Sequence, residues 1–135
     1  NKQYESEGFT VALVEDNNSR DYLFGRLLGV AEVMERNILK ERNEKRATNA
    51  TRYFNAFSQH PARTWQVIRK QLTPYFERLG SNASWYARLL QEIETNMTIE
   101  QMTDDPLGPI FLLGYSSQIQ DMYTKREDKE NDSTK

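Results

Sequence analysis

Apolar residues return every three to four positions from residue 23 onward: Leu23, Leu27, Val30, Met34 and Ile38, widened by Phe24, Leu28 and Ala31. That spacing places them on one face of an α-helix. Asn18-Ser19 offers an N-cap and Asp21 an acid in the first turn, so the pattern predicts a helix from there to about Glu44. A second helix is predicted over about 47–57, carrying Tyr53, Phe54 and Phe57. Pro61 suits the first position of a third, with a stripe of Trp65, Ile68, Leu72, Tyr75 or Phe76, and Leu79, which Pro74 should kink or split. Gly80 supplies a stop and Ser81 or Asn82 the next cap, followed by an apolar face of Trp85, Leu89, Leu90 and Ile93. Asp105-Pro106 and Pro109 open a last helix with Phe111, Tyr115, Ile119 and Met122 or Tyr123.

No strand pair is predicted after residue 16, and no unit repeats. The expected fold is therefore all-α: a single bundle of about five helices at 18–124, after an N-terminal arm at 1–17 and before a disordered polar tail at 125–135. Leu23, Leu27, Val30, Met34, Ile38, Trp65, Ile68, Leu72, Trp85, Leu89 and Phe111 are its expected core. The 135 residues suffice for one such core and not for two. No apolar run approaches the roughly 18 residues of a membrane span. With no cysteine and no apolar signal core at the start, a cytoplasmic home is the expectation.

Charge adds a hint about partners. The chain is nearly neutral, at −2, but residues 17–90 carry 13 Lys or Arg against 6 Asp or Glu, and both ends are acidic. A basic centre of this kind suits a polyanion. Catalysis finds little to work with: one histidine, no cysteine and no glycine-rich loop after a strand. His60 precedes Pro61 at a helix start, where capping explains it, and Asp104-Asp105 likewise stand where acids favour a helix dipole. No enzyme, metal or cofactor is expected.

Projected at 100° per residue, Tyr22, Arg26, Gly29, Val33, Arg36 and Lys40 fall on one line beside the apolar face of the first helix. Such a line could hold phosphates, with Gly25 and Gly29 letting a backbone come close; alternatively, the glycines admit another helix and the cations reach out to solvent. Arg42, Lys45, Arg46 and Arg52 extend the basic region, and Arg63 and Lys70 continue it on the third helix. The candidate nucleic-acid-binding residues are thus Arg26, Arg36, Lys40, Arg42, Lys45, Arg46, Arg52, Arg63 and Lys70.

Three ordered motifs resemble one family. Asp21-Tyr22-Leu23-Phe24-Gly25-Arg26-Leu27-Leu28-Gly29-Val30-Ala31-Glu32 is similar to the Y-L-L-G-R-L-x-A-V-x-E signature near the C-terminal end of the large subunit of the type I-C CRISPR Cascade, the Csd family. Asn49-Ala50-Thr51, Arg52-Tyr53-Phe54, Ser58 and Pro61 resemble its N-A-T, R-Y-F/Y and S-A-x-P segment. Phe111 to Gln120 resembles its closing F-x-L-G-Y-x-x-Q-x-Q, with Ser116-Ser117 departing from it. The resemblance implies a helical, non-catalytic domain of the large subunit, or a small subunit made from the same coding stretch by internal translation. It further implies that the chain helps hold the displaced non-target DNA strand or the guide RNA–target DNA duplex, beside other Cascade subunits and copies of itself. Reading of the protospacer motif and strand cleavage would lie elsewhere. The competing expectation is an adaptor bundle that contacts only proteins.

Overall fold

The computed structural model describes residues 12–79 and 81–133, the side chains of 81, 82 and 126–133 excepted. Most of the expected arm, up to residue 11, and most of the expected tail's side chains lie outside this description. The described residues form six helices: α1 (Arg20–Glu41), α2 (Asn49–Arg52), α3 (Phe54–Gln59), α4 (Pro61–Leu79), α5 (Ser81–Thr95) and α6 (Ile110–Ser133). The described residues contain no strand, and the all-helical bundle expected from the periodicity is what they form.

Every residue of α1 from Tyr22 to Glu35 is buried, so the helix is not amphipathic along this stretch but runs through the middle of the bundle, touched by α2, α4, α5 and α6. Glycine makes this possible. A Cβ on Gly25 would collide with the Phe111 carbonyl oxygen and lie 2.7 Å from the Tyr115 nitrogen; one on Gly114 would collide with the Tyr22 carbonyl. Gly29 sits less tightly, its would-be Cβ 3.0 Å from Gln118 Cβ and from the Tyr115 oxygen. The backbones of α1 and α6 thus meet directly, and the glycines admit a helix. The first part of that line is therefore not an open phosphate surface: Tyr22, Arg26 and Val33 are buried, with Arg26 bonded to Gln118 of α6, and only Arg36 and Lys40 are exposed.

α1 ends at Glu41, three residues before the expected stop. Asn43 takes the left-handed conformation (φ 55°) that asparagine tolerates well. The Asn43 N–H then donates to the Lys40 carbonyl (3.1 Å) and the Glu44 N–H to that of Leu39 (2.9 Å), which satisfies the last turn in a Schellman arrangement. The single second helix expected over 47–57 is two short ones, divided at Tyr53 (φ −100°, ψ 13°). α4 is not split at Pro74. Pro74 and the Lys70 carbonyl that it cannot reach lie on an exposed stretch, where water can take the missing donor's place.

The core follows the expected positions on α1 and α4, with Trp65, Ile68 and Leu72 fully buried. α5 is turned by one position: Tyr86, Leu90 and Ile93 face inward, while Trp85 and Leu89, expected inside, are partly buried at the margin. The rotation carries the Tyr86 hydroxyl to Asn37 Nδ2 of α1 at 2.9 Å. On α6 the buried seam is Phe111, Gly114, Ser117, Gln118 and Met122, flanked by Tyr115 and Ile119. The rings of Phe24, Phe57 and Phe111 close the centre, 5.8 and 5.6 Å apart in succession.

Gly25→Ala or Gly114→Ala should therefore force α1 and α6 apart and cost about 3 kcal/mol or more in thermal or denaturant unfolding, at the upper end for overpacking. Gly29→Ala, whose Cβ would come no nearer than 3.0 Å to α6, should cost clearly less. Equal small effects at all three positions would contradict the close approach.

Candidate nucleic-acid interface

Two glutamates on α1 organise the basic surface. Glu35 is fully buried, and its carboxylate accepts from the Asn49 N–H (2.7 Å), from Asn49 Nδ2 and from Arg46 Nη1 (2.7 Å). Glu32, one turn earlier and also buried, accepts from Thr48 Oγ1 and from Arg36, whose Nε lies 2.6 Å away. Thr48 meanwhile caps α2, accepting from the Thr51 N–H at 3.1 Å. A buried carboxylate persists only when paired and hydrogen-bonded, and these two fix the corner where the chain leaves α1 and enters α2. Both arginines are thereby aimed. Bonding to Glu32 and Glu35 respectively raises the pKa of the Arg36 and Arg46 guanidiniums, so both hold their charge.

Above this corner lies an open groove of about 560 Å³, lined by Arg36, Lys40, Lys45, Arg46, Glu44, Leu39, Ala47, Thr48 and Thr51. Four of the nine candidate cations meet there. Arg36 and Arg46 are neutralised from behind by Glu32 and Glu35, and Glu44 lies 3.7 Å from both Arg42 and Arg46. Lys40 and Lys45 have no carboxylate partner among the described residues, so the groove's positive excess rests on them. Arg42 lies over the Tyr75 ring at 5.4 Å, and Arg52 over Tyr53 at 5.5 Å.

The remaining candidates lie elsewhere. Arg26 is 5% exposed and donates through Nε to Gln118 Oε1 at 2.7 Å, with burial lowering its pKa; it is part of the α1–α6 contact and not of a surface. Arg63 is tied to Asp104 through its backbone N–H (2.9 Å) and its Nε (3.1 Å), a bond that holds Asp104 below the usual carboxylate range. Lys70 is exposed on α4 and does not line the groove. Of the groove's hydroxyls and buried glutamates, Glu32 and Thr51 stand in the sequence motifs, but none of the four is among the candidate binding residues. Their signal was present, however, as two acids three apart on a helix followed by Thr48-Asn49-Ala50-Thr51.

The three sequence motifs converge in the interior. Tyr22 Oη lies 2.9 Å from Ser117 Oγ, Asp21 Oδ2 accepts from the Gly108 N–H at 2.8 Å, and Gly25 meets Gly114. Arg26 meets Gln118, and Glu32 and Glu35 meet Thr48 and Asn49. Arg20, beside the first motif, donates to the Gln101, Thr103 and Asp105 carbonyls and so straps down the loop before α6. Among the described residues no group of His, Cys, Asp or Glu side chains is placed to hold a metal ion, and no helix is long and apolar enough to cross a membrane.

A domain whose shared motifs build its interior is identified by those motifs whatever its surface does. The family model of the CRISPR-associated protein Csd1 matches residues 1–123, and the chain belongs to that family. No curated protein matches it.

Glu35→Ala should leave the Asn49 amide and Arg46 without their acceptor and destabilise the fold by about 3 kcal/mol in denaturant unfolding. Arg46→Ala, which leaves Glu35 its two bonds from Asn49, should cost less. If Arg46→Ala is the more damaging, Glu35 is not the organiser. Alkaline pH offers a second check, because burial, with Glu32 adding to it, pushes Tyr115 up to about 12. An unfolded tyrosine ionises near 10, so the stability tied to Tyr115 is present below about pH 10 and lost as pH rises toward 12. Tyr115→Phe should flatten that loss; an unchanged alkaline slope would contradict it.

Proposed function

We propose that this Csd1-family chain is a non-catalytic part of a type I-C Cascade that holds nucleic-acid phosphates in the groove between α1 and α2. The observation that carries this is the meeting of Lys40 and Lys45, free of carboxylate partners among the described residues, with Arg36 and Arg46, aimed by buried glutamates. Arg42 and Arg52 would extend the surface; Arg63 and Lys70 would serve as separate, weaker contacts. Cations of this sort neutralise phosphates without reading bases, which fits an assembly whose guide RNA supplies the sequence. The strand concerned is the displaced non-target DNA or the guide RNA–target DNA duplex, and the other partners are Cascade subunits and further copies of the chain. A cytoplasmic site of action follows from those partners. The adaptor reading draws its support from the exposed apolar start of α6, with Ile110, Leu112 and Leu113 each more than 40% exposed.

The test is the salt dependence of single-strand binding by Lys40→Ala/Lys45→Ala. Each lost phosphate contact should lower the slope of log affinity against log salt by about 0.7, so the pair should lower it by roughly 1.4 for every sequence alike. Assembled complexes carrying the pair should protect the displaced strand less. Unchanged slope and unchanged protection would favour the adaptor.

A further inference from the structure

At one end of the groove, cation and aromatic ring are joined in a way that phosphate binding alone does not require. Tyr75 of α4 is partly buried, and its hydroxyl accepts from Arg46 Nη2 at 2.5 Å. The same Arg46 lines the groove and is anchored on Glu35. Arg42, the cap residue of α1, lies over the Tyr75 ring, 5.4 Å from its centre, with 31% of its side chain still exposed. The Asn43 turn that ends α1 holds the Arg42 backbone in place, since the Arg42 N–H donates to the Ile38 carbonyl at 3.1 Å. A planar guanidinium seated on a ring and still partly open is a stacking surface, and every unpaired base has a face to lay on it.

We propose that Arg42, backed by Tyr75, is a stacking site for one unpaired nucleobase, next to phosphates held by Lys40 and Lys45. The proposal rests on the phosphate-groove reading and adds that the groove takes a single strand with a base turned toward the protein. A duplex, whose bases stack on one another, cannot supply that face without opening. Affinity should then depend on the presence of a base and not on its identity.

The experiment compares the full chain's binding to a short single-stranded DNA and to the same strand made abasic, which has equal phosphates and no rings, across a salt series. The wild-type chain should bind the base-bearing strand about tenfold or more tightly, within the range that one stacked base supplies. Arg42→Lys keeps the charge and loses the plane, so it should erase most of that ratio while leaving the salt slope unchanged. Equal binding of the two strands by the wild type, with a steep salt slope, would overturn the stacking site and leave the phosphate groove standing. A ratio that survives Arg42→Lys would overturn Arg42 as the platform. Absence of salt-dependent binding to either strand would remove the groove reading and this proposal with it.

Discussion

The direct backbone contact between α1 and α6 is the constraint on which the other arrangements depend. A side chain on Gly25 would fall on the Phe111–Tyr115 backbone of α6, and one on Gly114 on the Tyr22 backbone of α1, so neither helix can turn or withdraw without losing the contact. With α6 against one side and α2, α4 and α5 against the others, α1 has no solvent face between Tyr22 and Glu35. Its polar residues there must find partners inside the protein. Tyr22 does so on Ser117, Arg26 on Gln118, and Glu32 and Glu35 on the start of α2.

Beyond that buried length α1 first reaches solvent at Arg36, and this limits where a ligand could be met. The groove cations that reach solvent are Arg36 and those of the last turn and the connector, from Lys40 to Arg46. The buried glutamates convert two of them from flexible side chains into fixed ones, which reduces the conformational entropy lost when a ligand is bound. Buried and surface charge are thus coupled: the carboxylates that stabilise the corner also spend the charge of Arg36 and Arg46, leaving the two lysines to supply the groove's excess.

Much of this was legible in the sequence, and the failures have specific causes. Element type and the α1 and α4 cores follow from periodicity, because Leu23, Leu27, Val30, Trp65 and Ile68 are both apolar and buried. On α6, Phe111 and Met122 follow from the apolar spacing, but Gly114, Ser117 and Gln118, which no apolar count selects, complete the inward seam. Arg26 is hidden for a related reason: a helical line beside the apolar face reaches solvent only where no second helix covers it, and Gly25 and Gly29 mark where α6 enters. Close helix packing is thus the role of those glycines that the backbone contacts support. The groove was partly legible as a basic run. Its shape was not, since it depends on Asn43 turning the chain and on Glu32 and Glu35 gripping Thr48 and Asn49 from below. Trp85 shows a smaller error, in which a large aromatic was assigned to the core that Tyr86 fills one position later.

Division of α1 into a buried, structural length and an emerging end proposed to bind a strand can be measured by amide hydrogen exchange with and without a short single-stranded DNA. Amides of 22–34 should be among the slowest in the chain and should not respond to the strand, while those of 42–48 should exchange faster and slow when it binds. Rapid exchange in 22–34, or protection by the strand that falls there and spares 42–48, would contradict the account.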